Sequence, residues 1–321
     1  MSRGRVLQTG PLLPWLEQCL LDEFDMHRLD REPDPGGFLC AHGQAFTALV
    51  TASWIGASAT LQDSLPALRV ISNFGVGLDK IDLDSAAARG IAVGYTPDVL
   101  NDCVADLAMA LMLDVARRTP EADRFVRAGA WAAGNFGQGR RVSGAKLGIV
   151  GMGRIGHTIA RRARGFDMDI RYHARRPVPE VPWAHEPSLL ELARWCEFLV
   201  VIVAGGADTH HLINAQVLHA LGPHGYLVNV SRGTVVDEPA LIKALQSGQI
   251  AGAGLDVFEH EPQVPTALMT LNNVVLAPHI ASNTRETRRA MAERVLGNLR
   301  GFLREGRLIS SAPLPGAHGP A

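Results

Sequence analysis

Between residues 146 and 176 the chain reads KLGIVGMGRIGHTIARRARGFDMDIRYHARR, and this stretch restricts the fold more than any other. The apolar run 147–150 leads into Gly151, Gly153 and Gly156, and then into Ile155, Ile159, Ala160 and Ala163 at helical spacing. The glycines therefore sit where a strand turns into a helix, and a second strand, 169–173, follows that helix. Two strands joined through a helix lie parallel in one sheet. Gly151 permits the tight turn, Gly153 lets a pyrophosphate approach the backbone, and Gly156 lets helix and strand pack closely. The helix N-terminus offers N–H groups and a positive dipole end to that anion. The stretch predicts a dinucleotide-binding unit.

The end of the second strand bears on which nucleotide is bound. A carboxylate about 20 residues beyond the glycines holds the ribose 2′-hydroxyl in NAD-binding chains. Here the strand ends in His173, Ala174, Arg175 and Arg176, with Arg175 19 positions after Gly156. A carboxylate would repel a 2′-phosphate, whereas two guanidiniums grip one through charge-assisted, often bidentate, hydrogen bonds. NADP(H) is expected as the preferred cofactor, with NAD(H) also admitted.

The 321 residues, 47% of them apolar, suffice for the cores of two domains of ordinary size. A formal net charge of −1, with no long basic run and no aromatic-basic interleaving, argues against a nucleic-acid partner. No charged leader precedes an apolar segment at the start, and no apolar run reaches membrane-spanning length, so no membrane association and a cytoplasmic location are expected. Cys19, Cys40, Cys103 and Cys196 show no CxxC pairing and lie in apolar contexts, which favours buried thiols over disulfides; no metal is expected.

Short apolar runs alternate with helical patterns throughout the first 97 residues: strands at 5–8, 26–29, 48–53, 70–74 and 91–95, helices at 12–21 and 61–68, and a loop at 31–37. A long amphipathic helix spans 99–117, with Val104, Leu107, Ala108, Leu111, Met112 and Val115 on one face. Residues 119–145, including Trp131, carry weak signals and read as an excursion. Beyond the glycine-rich unit come helices at 188–196, 214–221 and 238–247 and apolar strands at 198–203, 225–231, 250–257 and 274–279. A last helix covers 283–304, and the tail from Ser310 is expected to be poorly ordered. The expected class is α/β: two doubly wound parallel-sheet domains. Residues 1–98 with 286–321 form a substrate domain, 99–285 form a nucleotide domain, and the active site lies in the cleft between them.

Ligands of open α/β sheets bind at the carboxyl ends of the strands. Strand 225–231 ends near Asn229, Ser231, Arg232 and Gly233; strand 250–257 ends at Asp256, with Glu259 and Glu261 beyond; strand 274–279 ends at Pro278 and His279, with Ser282 beyond. One Arg, one Glu and one His suit hydride transfer to a 2-keto acid. A protonated His279 donates to the carbonyl oxygen as hydride arrives, and Glu261 favours the imidazolium. Arg232 holds the substrate carboxylate and polarises the keto oxygen. From the first domain, the glycine-bearing loop 73–77 offers backbone N–H groups to a carboxylate, and Ser53, Trp54, Ile55 and Gly56 stand at another strand end.

The segments SNFGVGLDKIDL, TPDVLNDCVADLAMALML, LGIVGMGRIG, NVSRGTVVDEPALIKAL, GLDVFEHEP and LAPHIAS, in this order, resemble those of the D-isomer-specific 2-hydroxyacid dehydrogenases, in the branch of glyoxylate and hydroxypyruvate reductases. The resemblance runs from about residue 70 to 285, and the flanks fit the family's first domain. It implies a flavodoxin-like substrate domain beside a Rossmann nucleotide domain. It makes Arg232, Glu261 and His279 the catalytic Arg, Glu and His. Val76 and Gly77 match the substrate-carboxylate amides, and Trp54 with Ile55 occupies a loop that tunes substrate size. Asp256 matches a residue beside the nicotinamide carboxamide, and Arg154 a pyrophosphate contact. Val230, Ser231 and the loop 204–206, which starts at Ala204, line the cofactor, and Ile155, His173, Val203, Thr209 and Ser282 complete its expected site. Trp131 falls in a region that similar reductases use as a dimer arm, so a homodimer is expected. Asp106 where Glu is commoner, and PHIASNT for PHIGS, are departures that leave the trio intact.

The expected reaction is NADPH-dependent reduction of glyoxylate and hydroxypyruvate to glycolate and D-glycerate. A reductase of 2-ketogluconate or an aryl pyruvate is the alternative within the family. A dinucleotide-sensing, corepressor-like binding protein is the alternative from another class, and the intact trio argues against it.

Overall fold

A computed structural model describes residues 5–315, and it separates into two compact units. One unit takes in the chain up to Leu100 and from Thr284 onward; the other is Asn101–Asn283.

In the first unit, β1 (Arg5–Gln8), β2 (Asp25–Arg28), β3 (Ala48–Ala52), β4 (Val70–Phe74) and β5 (Ala92–Gly94) form one sheet in the order β2-β1-β3-β4-β5. Every pairing is parallel. Each residue of β3 and β4 is buried, as continuous apolar runs covered on both faces require. The helix Arg285–Glu305 lies along β4, with Met291, Val295 and Leu299 buried and the Val295 carbonyl accepting from Ser72 Oγ at 3.2 Å.

Two expectations fail in this unit. The loop expected at 31–37 gives way to a helix, Pro35–His42, started by Pro35 and capped by Asp34, whose side chain accepts from the Gly37 N–H. None of that helix is buried, so it left no apolar periodicity to read. The tail is held from Ser310 onward: Ser310 N–H donates to Asn298 Oδ1, Ala312 N–H donates to the Val93 carbonyl, and both residues are buried. The part of that expectation beyond residue 315 lies outside the described residues.

The second unit carries β6 (Lys146–Val150), β7 (Asp169–His173), β8 (Ala184–His185), β9 (Phe198–Val201), β10 (Tyr226–Asn229), β11 (Gly252–Leu255) and β12 (Val274–Leu276). Their order is β12-β11-β10-β9-β6-β7-β8, again parallel throughout. The chain winds one way from β6 to β8 and the other way from β9 to β12, so the switch point lies between β6 and β9. Such a point opens a crevice at the carboxyl edge of the sheet. The helix Asn101–Arg117 packs on β10 and β11 through its buried face, which includes Val104, Ala108, Leu111, Met112 and Val115. Each of the Val, Leu and Met side chains contributes about 1.5–3 kcal/mol by leaving water.

The excursion at 119–145 holds a helix, Thr119–Arg127, begun by Pro120 at its first turn, and a short 3-10 turn, Ala130–Ala132. No residue of either is buried, which explains the weak signal. Among the described residues no helix is long and apolar enough to cross a membrane.

Candidate active site

The carboxyl edge of the second sheet gathers the predicted residues in two groups. At the β6 end, Gly151 adopts φ +103°, and a Cβ there would stand 2.5 Å from the Ile202 carbonyl oxygen. A Cβ on Gly156 would lie 2.1 Å from the Gly151 carbonyl oxygen, so the helix Arg154–Ala163 reaches its strand only because the residue is glycine. Gly153, at the helix N-cap, differs: a Cβ there would meet nothing within 4 Å. That open space in front of the first helical turn, with Arg154 and Ile155, is what a pyrophosphate needs.

At the end of β7 the His173 ring is tied to the Glu186 carbonyl at 3.0 Å. Arg175 and Arg176 are exposed, and Arg175 has a carboxylate, Asp208, at 4.0 Å. Val203 and Ala204 follow β9, and the Thr209 hydroxyl donates to the Ala204 carbonyl at 2.7 Å, closing the loop they start. The residues present fit a dinucleotide: room at Gly153, a helix N-terminus facing it, and cationic heads where a ribose phosphate would lie.

The second group is built from β10, β11 and β12. Asn229, buried at the end of β10, accepts from both the N–H and the hydroxyl of Ser231, at 3.1 and 2.7 Å, and its amide donates to the Arg232 carbonyl at 3.0 Å. This capture ends the strand early and presents Arg232 after the buried pair Val230 and Ser231. Gly233 then lies flat on the next loop, since a Cβ would come within 2.0 Å of Phe258 backbone atoms. The Arg232 turn and the loop 257–261 are therefore fixed to each other.

Asp256, 0% exposed, follows β11. Its two carboxylate oxygens accept from the Ile280 and Ala281 N–H groups at 2.7 and 2.9 Å, and its carbonyl accepts from the His279 N–H at 2.8 Å. Asp256 thus grips the backbone around His279, which adopts φ +53°, an unfavourable region for a residue with a side chain. Burial pushes the Asp256 carboxyl above its ordinary value, against the pull of the two amides. Ser282, half-buried, ends this loop.

His279 Nδ1 and Glu261 Oε2 are 2.7 Å apart. Burial alone would raise the Glu261 carboxyl. The His279 hydrogen bond and charge, the Phe258 N–H on Oε1 and the Arg232 charge outweigh it and hold the group below its ordinary range. An ionised carboxylate only accepts, so Nδ1 carries the proton of this bond. Nε2 is the ring atom left to exchange a proton with a ligand.

In the first unit, the Asn73 side-chain amide donates to the Gly75 and Gly77 carbonyls at 3.1 and 3.0 Å, and Ser53 Oγ donates to the Gly77 carbonyl at 2.8 Å. Gly75 needs its φ of +144° and its missing Cβ, which would stand 2.0 Å from Ser53 Oγ. A trans peptide points its N–H opposite its C=O. With the Gly75 carbonyl turned in, the Val76 N–H turns away from Asn73, on the loop that continues to Gly77. Trp54, 48% exposed, meets Phe74 edge-on at 6.1 Å, and the Arg288 guanidinium lies over both rings.

The residue identities at these strand ends were legible in the sequence; the parts that orient them were not. Asn229, Gly233 and Asn73 stood in the right segments without any sign of their bonds, and Asp256 stood as a cofactor contact rather than as the clamp on the His279 loop.

A glycine-framed nucleotide cradle on a parallel sheet, with a carboxylate-backed histidine and an arginine at the same sheet edge, defines a nicotinamide-dependent oxidoreductase. Residues 109–281 match the profile of the D-isomer specific 2-hydroxyacid dehydrogenase, NAD binding domain. The chain is 47% identical over 294 residues to hydroxyphenylpyruvate reductase of Plectranthus scutellarioides, covering 92% of this chain and 94% of that one. It is 45% identical, with the same coverage, to glyoxylate/hydroxypyruvate reductase A of Arabidopsis thaliana. The crystal structure of an NADPH-dependent glyoxylate/hydroxypyruvate reductase from Sinorhizobium meliloti, in complex with NADP and malonate, superposes with a TM-score of 0.90 at 41% identity, over 97% of each chain. The chain belongs to the D-isomer-specific 2-hydroxyacid dehydrogenase family, in the glyoxylate/hydroxypyruvate reductase branch, and is an NAD(P)-dependent enzyme.

Proposed function

We propose that the enzyme reduces small 2-keto acids, glyoxylate and hydroxypyruvate first, with NADPH. The 2.7 Å bond from His279 Nδ1 to the ionised Glu261 carries this reading, because it fixes the ring tautomer and leaves Nε2 to protonate a carbonyl oxygen. The bound nicotinamide supplies the hydride. His279 places its Nε2 proton on the oxygen as the carbonyl carbon is reduced, and the neutral ring recovers a proton from solvent. Glu261 stabilises the imidazolium before the transfer and holds the ring after it. Arg232 binds the substrate carboxylate and draws charge from the keto oxygen, and the amides of Val76 and Gly77 take the same carboxylate.

NADPH is favoured over NADH by the exposed Arg175 and Arg176, and by the absence of a carboxylate in the segment 173–176. The remaining nucleotide contacts are Gly151, Gly153, Arg154, Ile155, His173, Val203, Ala204, Thr209, Val230, Ser231 and Ser282, with Asp256 acting through the loop it grips. A longer substrate, an aryl pyruvate above all, is the second reading. The exposed Trp54 face beside Phe74, and the likeness to a hydroxyphenylpyruvate reductase, favour it.

The enzyme works as a homodimer joined through the segment 119–145, where Val126 and Trp131 are 54% and 66% exposed. The four free thiols suit a reducing, cytoplasmic setting. The test is the initial rate with glyoxylate, hydroxypyruvate, 2-ketogluconate and phenylpyruvate, each with NADPH and NADH. The two small acids should turn over fastest with NADPH, and His279→Ala should lose that rate. Arg175→Ala/Arg176→Ala should cost NADPH at least about tenfold more than NADH, the worth of one charged hydrogen bond. Equal losses with both cofactors refute the phosphate grip.

A further inference from the structure

Away from the catalytic trio, the geometry points to a binding site for a borderline divalent metal ion, zinc in particular, formed by His210, His211 and Glu259. One ligand atom from each residue lies within 4.8 Å of the others. The His210 and His211 rings stack with centroids 3.9 Å apart and planes 26° from parallel. Consecutive side chains on extended backbone point to opposite faces. These two point together because His211 takes φ +48°, a left-handed conformation that few residues other than glycine adopt. The His211 N–H is anchored on the Thr234 carbonyl at 2.8 Å. Strain of this kind persists where the surroundings fix it, and here it aims two imidazoles at one point.

Glu259 supplies the third arm. Its Oε1 sits 3.0 Å from His211 Nε2, and its own N–H donates to Glu238 Oε2 at 3.3 Å. Glu238, a second acidic residue, therefore stands behind Glu259. A zinc ion with bonds of about 2.0–2.2 Å needs its ligand atoms a little over 3 Å apart. His211 and Glu259, at 3.0 Å, lie a few tenths of an ångström short of that spacing, and the exposed His210 has only to turn. Two imidazoles and one carboxylate suit zinc, nickel or copper; calcium and magnesium require more oxygen ligands. The site joins the loop after β9, where His210 and His211 lie, to the loop 257–261 that ends in Glu261. An ion there would tie together two segments that the His211–Glu259 hydrogen bond already joins.

The test is calorimetric titration of the chelator-treated, full-length protein with zinc chloride, with magnesium and calcium chlorides as controls, and visible spectra of the cobalt(II) form. One zinc per chain, no heat from the controls, and at least tenfold weaker binding in both H210A and E259Q support the site. His210 is exposed, so its loss keeps the fold, and unchanged circular dichroism checks this. Absence of stoichiometric zinc binding, or binding and cobalt spectra unaltered in both variants, would overturn the proposal. None of these readouts depends on substrate turnover.

Discussion

Replacing Asp256 with Asn keeps the shape of a fully buried side chain and changes one oxygen into an amino group. In the native protein both oxygens accept backbone N–H groups, from Ile280 at 2.7 Å and Ala281 at 2.9 Å. In Asp256→Asn one of those N–H groups faces another donor and loses its partner, at about 1–3 kcal/mol. The other bond loses its charge and roughly half its strength, about 1 kcal/mol. Relief of a carboxylate that burial already disfavours returns part of this. The net destabilisation is therefore about 1–3 kcal/mol, and at about 2–4 °C per kcal/mol for a domain of this size the melting temperature should fall by roughly 5 °C. The larger effect is catalytic. The two amides follow His279 directly, and its φ of +53° has to be held against relaxation. A ring displaced by about 1 Å costs up to 10²-fold. Steady-state kinetics should show kcat down at least tenfold, with the KM for NADPH within about threefold of native, since the residue acts through the loop. Unchanged kcat and melting temperature would refute the positioning argument, and a raised KM for NADPH with native kcat would make Asp256 a direct cofactor contact.

Three further outcomes follow from the same geometry. Gly153→Ala should melt as the native enzyme does, because its Cβ enters open space, yet bind NADPH at least tenfold more weakly; Gly156→Ala should instead be strongly destabilised by the 2.1 Å approach to the Gly151 carbonyl, and matched behaviour of the two in thermal melts and NADPH titrations would contradict these roles. Glu261 is held below its ordinary range, so its contribution to stability is present above the unfolded carboxylate value of about 4.3 and is lost as pH falls through the lower folded value. Glu261→Gln should therefore melt with a flatter acid limb below about pH 4.3, and parallel limbs would speak against it. Burial pushes the Cys196 thiol to about 12, whereas Cys40 is exposed. Iodoacetamide at neutral pH should thus label Cys40 in the native protein and Cys196 only after unfolding, as peptide mass mapping would show.

Sequence and structure agree most closely where two independent signals coincide. The strand at 169–173 matches β7 residue for residue, because alternation and the preceding glycine-framed helix both constrain it. Strands 225–231 and 274–279 read too long; β10 stops at Asn229 and β12 at Leu276. β10 ends where a side chain captures backbone that the ladder would have used, since Asn229 takes the Ser231 N–H; beyond β12, Asp256 takes the N–H groups of Ile280 and Ala281 and holds that segment as a loop. Apolar patterning carries no record of such captures. The helices Pro35–His42 and Thr119–Arg127 were invisible for the opposite reason, since neither fully buries any residue and the first packs on the core only through the half-buried Phe38 and Leu39.

The same division runs through the site. Arg232, Glu261 and His279 are legible because the proposed chemistry demands those residue types at strand ends. Their orientation depends on groups whose importance appears only on folding. Gly233 looks like an ordinary turn glycine until the Phe258 backbone is found against it. Asp256 looks like a ligand contact until its oxygens are found on two amides. The costs are visible too: a buried carboxylate pushed upward, and a histidine in a left-handed conformation. Each is unfavourable alone, and together they satisfy one another, because the amides that lower the cost of burying Asp256 are the ones that hold the backbone beside His279. In the general-acid role proposed for it, His279 must not relax away from the substrate, and a rigid, mutually dependent pair secures that better than either residue in an unstrained position. His279→Gly should therefore leave Asp256 gripping a loop relieved of its Cβ strain, and melt no lower than the native enzyme while losing its turnover.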